Sequence, residues 1–152
     1  MKVSNILRVK GGTLFTVAPD TSLSAAVHTM AEHDIGSLVV MRYSELVGIL
    51  TFREVIGTLA HNHGSIEKVT VGSVMDESPL TCQPDTNLDD VRRMMLEHHA
   101  RYLPVMENKV LMGVISFYDV AKAVVEAQGF ENQMLKAYIR DWPQEAPEQE
   151  AQ

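Results

Sequence analysis

Residues 16–56 match residues 81–121 at a constant offset of 65, with 15 identities in 41 positions and no gap. Pro19-Asp20-Thr21 recurs as Pro84-Asp85-Thr86, Leu38-Val39-Val40-Met41 as Leu103-Pro104-Val105-Met106, and Leu46-Val47-Gly48 as Leu111-Met112-Gly113. The chain must therefore fold as one unit used twice. The period is longer than the 20–50 residues of a stacking solenoid, and two copies point to a pair related by a pseudo-twofold.

Each copy carries the same local signals. Pro-Asp-Thr marks a turn and a helix start, with Ser22 or Asn87 as N-cap. Leu23, Ala26, Val27 and Met30 follow at helical spacing, as do Leu88, Val91, Met94 and Met95. β-Rich runs come next, at residues 38–41 and 46–50, then 102–106 and 110–115. The separating segments, 42–45 and 107–109, are of hairpin length. A second helix begins near Phe52 and near Phe117. Gly64 is expected to end the first of these after Ala60, and Gly129 to interrupt the second. The expected fold is α/β (α+β): a β-α-β-β-α unit occurring twice, sheets with flanking helices. Expected limits are 3–61 and 71–128 for the repeats, 62–70 for a linker, and 129–152 for a C-terminal helix and acidic tail.

The helix over 117–127 is apolar around more than half its circumference, more than one buried face needs. This predicts a homodimer interface. The alternative is that the two repeats bury both faces within one chain.

Composition bears on partners. The net charge is -7, and 45% of residues are apolar, which excludes a wholly disordered chain. Residues 141–152 hold four acids and no base and read as a disordered tail that starts with Trp142. Without it the body is at -3, from -7 less -4. The charge argues against nucleic acid and anionic membrane surfaces. No apolar run reaches the roughly 18 residues of a membrane helix, and no secretory signal is seen. With one cysteine, Cys82, a cytoplasmic setting is expected.

No catalytic constellation appears. There is no Gly-x-Ser-x-Gly, P-loop, Cys-x-x-Cys or His-Glu-x-x-His motif, and His61-Asn62-His63 is too small a cluster for a metal. The chain reads as a non-enzyme that requires no metal.

The two Pro-Asp-Thr turns, the strand segments Ser37–Met41 and Tyr102–Met106, and the paired segments from Gly48 to Glu54 and from Gly113 to Asp119 resemble a tandem pair of CBS domains, a Bateman module of the stand-alone type. Residues 3–7 and 71–75 resemble the entry segments that precede each domain. The resemblance implies a sensory module that binds an adenosine-containing ligand between the repeats: AMP foremost, or ADP, ATP, NAD(H) or S-adenosylmethionine. It also implies a dimer. An unidentified effector protein is expected, because no effector domain is recognisable.

Thr51 and Ser116 are placed where a strand becomes a helix, whose first N–H groups favour an anion. One turn on, Glu54 and Asp119 project to the same side, and a carboxylate can accept both hydroxyls of a ribose. The resemblance gives Asp119 the ribose role and Ser116 a phosphate or ribose-proximal one. The same spacing is also a capping box. Glu54 departs from the aspartate of the pattern by one methylene, about 1.5 Å of reach.

Arg101, before Leu103-Pro104-Val105, resembles the phosphate-reaching arginine of the Arg-His-Leu-Pro-Val pattern, a task its planar fork suits. Its repeat counterpart is Gly36, which leaves room for a base or a close backbone. Arg53 matches the arginine of the first-copy pattern. Lys10 is a further phosphate candidate or a solvated charge. Thr16 and Thr81 begin the turns that resemble the adenine-edge reader, and Tyr102 is placed to stack on a base or to pack. The alternative function is a ligand-free oligomerisation or protein-interaction module with degenerate clefts.

Overall fold

The computed structural model describes residues 1–11 and 13–141. Gly12 and the residues beyond 141, including Trp142 and nearly all of the expected acidic tail, lie outside the described residues. The element order is α1 (Val3–Lys10), β1 (Thr16–Val17), α2 (Leu23–Glu32), β2 (Ser37–Arg42), β3 (Glu45–Thr51), α3 (Phe52–His61), α4 (Val71–Val74), α5 (Leu88–His98), β4 (Tyr102–Glu107), β5 (Val110–Ser116) and α6 (Phe117–Asp141). The chain divides into two units, Met1–Val120 and Ala121–Gln152. Both repeats' strands belong to the first.

Within that unit are two small sheets. β1 runs parallel to β2, and β2 pairs antiparallel with β3; β4 pairs antiparallel with β5. The hairpins close more tightly than the sequence suggests. Tyr43-Ser44 and Asn108-Lys109 are two-residue loops with both residues at positive φ, between 50° and 66°, as a type I′ turn requires. Each hairpin slips register at the same place, between Val40 and Met41 and between Val105 and Met106. The unpaired residue is Val47 in one and Met112 in the other, a β-bulge kept in both copies.

The opening strand is present only in the first copy. In the second it is reduced to one parallel bridge, Cys82 to Val105, with Cys82 N–H donating to Pro104 O at 3.0 Å and Met106 N–H donating to Cys82 O at 2.8 Å. The first copy has a second pairing, Thr16 to Val39. Its counterpart would need an N–H on residue 104, and proline has none.

The helices follow their caps. Ser22 Oγ accepts from Ala25 N–H at 3.1 Å. Asn87 holds the equivalent N-cap position of α5 without a side-chain cap bond. Gly64, at φ 87°, closes the turn after α3 by donating to Leu59 O at 2.7 Å. Gly129 does not interrupt α6, which is continuous from Phe117 to Asp141. A helical glycine costs about 1 kcal/mol against alanine, and the strong helix formers on either side of it outweigh that.

The entry segments are exchanged between the copies. α1 lies on β5 and α4 on β3: a Cβ on Gly113 would meet Leu7 Cδ2 at 2.9 Å, and one on Gly48 would meet Asp76 O at 2.6 Å. Val3 and Ser4 N–H donate to Thr86 and Pro84 O, while Val71 and Gly72 N–H donate to Thr21 and Pro19 O. The first core, built on Leu23, Met30, Leu38, Val40 and Leu50, therefore includes Val71, with Ile66, Val69 and Met75 packed against it. Residues 62–70, expected as a linker, are partly a wall of that core.

In the second unit, α6 exposes Phe130, Met134, Leu135, Tyr138 and Ile139, each by more than half. Among the described residues, no helix is long and apolar enough to cross a membrane.

Candidate functional site

A cleft of about 430 Å³ opens at the junction of β3 and α3. Thr51, Arg53 and Glu54 line it from the first copy, and Arg101 and Tyr102 line it from the second. The volume falls at the lower end of the range for small-molecule sites.

The junction forms its capping box. Thr51 N–H and Oγ1–H both donate to Glu54 Oε1 at 2.8 Å, and Arg53 N–H donates to Thr51 Oγ1 at 3.2 Å. One oxygen of Glu54 is thus engaged twice by its own helix start. Arg53 Nη2 donates to His99 O at 2.8 Å, which ties α3 to the end of α5. Among the described residues, Arg101 makes no ion pair, so its guanidinium is not neutralised by a carboxylate. Burial raises the Tyr102 hydroxyl pKa, the Arg101 charge opposes this and the Asp119 charge adds to it; the phenol stays neutral. Its hydroxyl occupies the space where a Cβ on Gly36 would stand, with Phe52 Cε2 2.7 Å from that point. The room at Gly36 is taken by Tyr102.

The other expected residues are elsewhere. Ser116, Asp119 and Lys10 meet at the junction of β5 and α6. Ser116 N–H donates to Asp119 Oδ2 at 2.9 Å, Asp119 N–H to Ser116 Oγ at 3.1 Å, and Lys10 Nζ to Asp119 Oδ2 at 2.8 Å and Val114 O at 2.9 Å. Lys10 is therefore paired with Asp119, while its side chain stays 40% exposed. Burial pushes the Asp119 carboxyl upward, but the Lys10 ammonium and the Ser116 groups outweigh it and hold it below the ordinary value. Thr16 pairs with Val39. Thr81 lines a separate hollow beside Cys82 and Met94. Pro104 is buried in β4.

Sequence reasoning missed the cleft's other walls. Asp76, Ser78 and Leu80 arrive from the segment after α4, and His98 and His99 from the end of α5. His99 is the C-cap of α5 at φ 51°, and that turn delivers Ala100 and Arg101 to the cleft. The repeated histidines His33 and His98 carried a signal of shared placement, but not of this use. Among the described residues, no group of three histidines, cysteines or carboxylates can hold a metal.

The comparisons with known proteins agree with one another. The CBS domain family model matches residues 12–61 and 71–126. The CBS domain-containing protein CBSX3, mitochondrial, of Arabidopsis thaliana is 31% identical over 147 residues, covering 91% of this chain and 71% of that protein. Of solved structures, a CBS-domain containing protein from Agrobacterium tumefaciens is 32% identical with a TM-score of 0.78, covering 81% of this chain and 98% of that one. CBSX2 of Arabidopsis thaliana, solved in complex with AMP, is 28% identical with a TM-score of 0.70, covering 84% and 98%. With two copies of the unit, an α/β fold of two small sheets and a match over both, this chain belongs to the CBS-domain family as a tandem pair.

Proposed function

We propose that the chain is a non-catalytic regulatory module that binds an adenine nucleotide, AMP foremost, in the cleft between its two repeats. The observation that carries this is the pairing of Arg53 and Arg101, one from each copy, on a cleft of about 430 Å³. A phosphate held there gains charge-assisted hydrogen bonds from a planar fork next to the N-terminus of α3. The complex of the relative CBSX2 with AMP supports AMP as the ligand. A ligand touching both repeats changes their relation only through unequal affinity for two arrangements. Readout passes to an effector protein through a homodimer, whose surface is the apolar helix start over 117–127, where Tyr118 and Val125 are exposed. The cytoplasmic setting expected from a single cysteine gains no support from Cys82: burial pushes that thiol up to about 12, which leaves it unreactive in any compartment, and the relative CBSX3 is mitochondrial.

The second reading, a ligand-free interaction module, is favoured by one observation: Glu54 is engaged by its own capping box. Thermal denaturation with AMP separates the two. At 100 times its dissociation constant AMP adds about 2.7 kcal/mol, and the transition moves up by several degrees. Arg101→Ala and Arg53→Ala are expected to weaken AMP more than adenosine. Equal losses for both ligands would remove the phosphate role, and no shift with AMP, ATP, NAD(H) or S-adenosylmethionine would favour the second reading.

A further inference from the structure

We propose that Tyr102 is a positioning residue for Arg101: its ring seats in a notch that Gly36 leaves in the first repeat, and this seat fixes where the second repeat presents its arginine to the cleft. The inference rests on the nucleotide reading of that cleft and deepens it, by naming what sets the phosphate contact.

Arg101 has no side-chain partner to aim it. Among the described residues its guanidinium makes neither a hydrogen bond nor an ion pair. Arg53 differs, because its Nη2 is tied to His99 O at 2.8 Å. The placement of Arg101 therefore falls to the backbone around it. Its own carbonyl accepts Phe117 N–H at 2.7 Å, and Tyr102 opposes Ser116 in the β4–β5 ladder. Both of these contacts lie within the second repeat. What ties the segment to the first repeat is the Arg53 bond to His99 O and the ring of Tyr102.

The seat of that ring is close-fitting. A Cβ on Gly36 would collide with the Tyr102 hydroxyl, and it would lie 2.7 Å from Tyr102 Cζ and 2.7 Å from Phe52 Cε2. An approach this close needs a residue without a side chain. Phe52 is the first residue of α3 and lines the cleft beside Arg53. The ring thus spans from the start of β4 to the start of α3, across the two repeats. The phenol is neutral, so seating it buries no charge. The offset of 65 makes Gly36 the counterpart of Arg101. One copy has no side chain at this position, and that absence lets the other copy's arginine be held in place.

The test is isothermal titration calorimetry of the full chain with AMP and with adenosine. The proteins are wild type, Arg101→Ala, Tyr102→Ala, Tyr102→Phe, Gly36→Ala, and Gly36→Ala combined with Tyr102→Ala. Arg101→Ala sets the scale: AMP should weaken about tenfold and adenosine should be nearly unchanged. Tyr102→Ala and Gly36→Ala should each approach that loss for AMP while leaving adenosine nearly unchanged. Tyr102→Phe keeps the ring and should bind as wild type does. In the combined variant, Gly36→Ala should add little, because two of the three close atoms belong to Tyr102. A merely structural role, or a ring stacked on the base, would weaken AMP and adenosine alike, and either result overturns the inference. If Gly36→Ala does not fold, the comparison of Tyr102→Ala with Tyr102→Phe decides. Wild type that binds neither ligand defeats the nucleotide reading and this inference with it. An AMP-to-adenosine ratio that changes in Arg101→Ala but not in Tyr102→Ala defeats this inference alone.

Discussion

Asp119 shows how a single residue can have a role that its neighbours in sequence do not reveal. The Ser-x-x-Asp spacing was open between a cap and a ligand contact, and the local half of the answer is a cap: each residue bonds the other's backbone N–H. The other half is Lys10, 109 residues away, which no spacing rule can reach. The same holds for Tyr102 over Gly36. Ser22 as a cap and the two turns were legible because their partners lie within a few residues. The Asp119 environment has a consequence for stability. Its folded pKa is below the unfolded value of about 3.9, so its contribution is present above that value and is lost as pH falls through the folded one. Asp119→Asn should therefore cost on the order of 1 kcal/mol at pH 7. The gap to wild type should narrow as pH drops below about 4. Urea denaturation of both proteins from pH 7 downward measures this, and a gap that stays constant with pH would show that charge plays no part.

At the scale of elements, the repeat predicted which helices and strands exist but not how they are traded. β2 with β3 and β4 with β5 follow from alternation and hairpin spacing. That α1 belongs on β5 and α4 on β3 does not, because the two entry segments resemble each other and either pairing satisfies the pattern. Pro104 belongs to the segment that resembles the Arg-His-Leu-Pro-Val binding pattern, and the structure gives it a plain backbone effect: it ends a ladder that the first copy continues. The two exchanged contacts differ in how they tolerate bulk. A Cβ at Gly48 meets backbone, Asp76 O at 2.6 Å, as well as Met75 Sδ at 2.7 Å; at Gly113 it meets only the end of Leu7, at 2.9 Å. A leucine methyl can rotate away and a hydrogen-bonded backbone carbonyl cannot, since Asp76 O accepts Ile49 N–H at 3.0 Å. Gly48→Ala should therefore cost about 1–3 kcal/mol and Gly113→Ala less than about 1 kcal/mol. Urea midpoints at constant slope give the comparison; equal costs would mean that the two entry segments are held alike.

For the molecule as a whole, the exchange decides what can fold alone. A division by sequence puts residues 3–61 in the first repeat, but Val71, Ile66, Val69 and Met75 complete that repeat's core. Residues 1–61 would leave this wall missing and α1 without the strand it packs on. Residues 13–76 keep β1 through α4, the bonds from Val71 and Gly72 to the 19–21 turn, and the bridge between Ile49 and Asp76. A chain of about 60 residues buries only about 60% of its unfolded surface, so losing one wall removes most of a narrow margin. The fragment 13–76 is expected to show a cooperative thermal transition by circular dichroism, and 1–61 none. Equal folding of the two would mean that the entry helix is an accessory to either core. The same fragment also tests the cleft. It contains Thr51, Arg53, Glu54 and Asp76 but lacks the second copy's Arg101 and Tyr102. On the proposed function it should therefore fold and fail to bind AMP, because the proposed phosphate contacts come from both repeats.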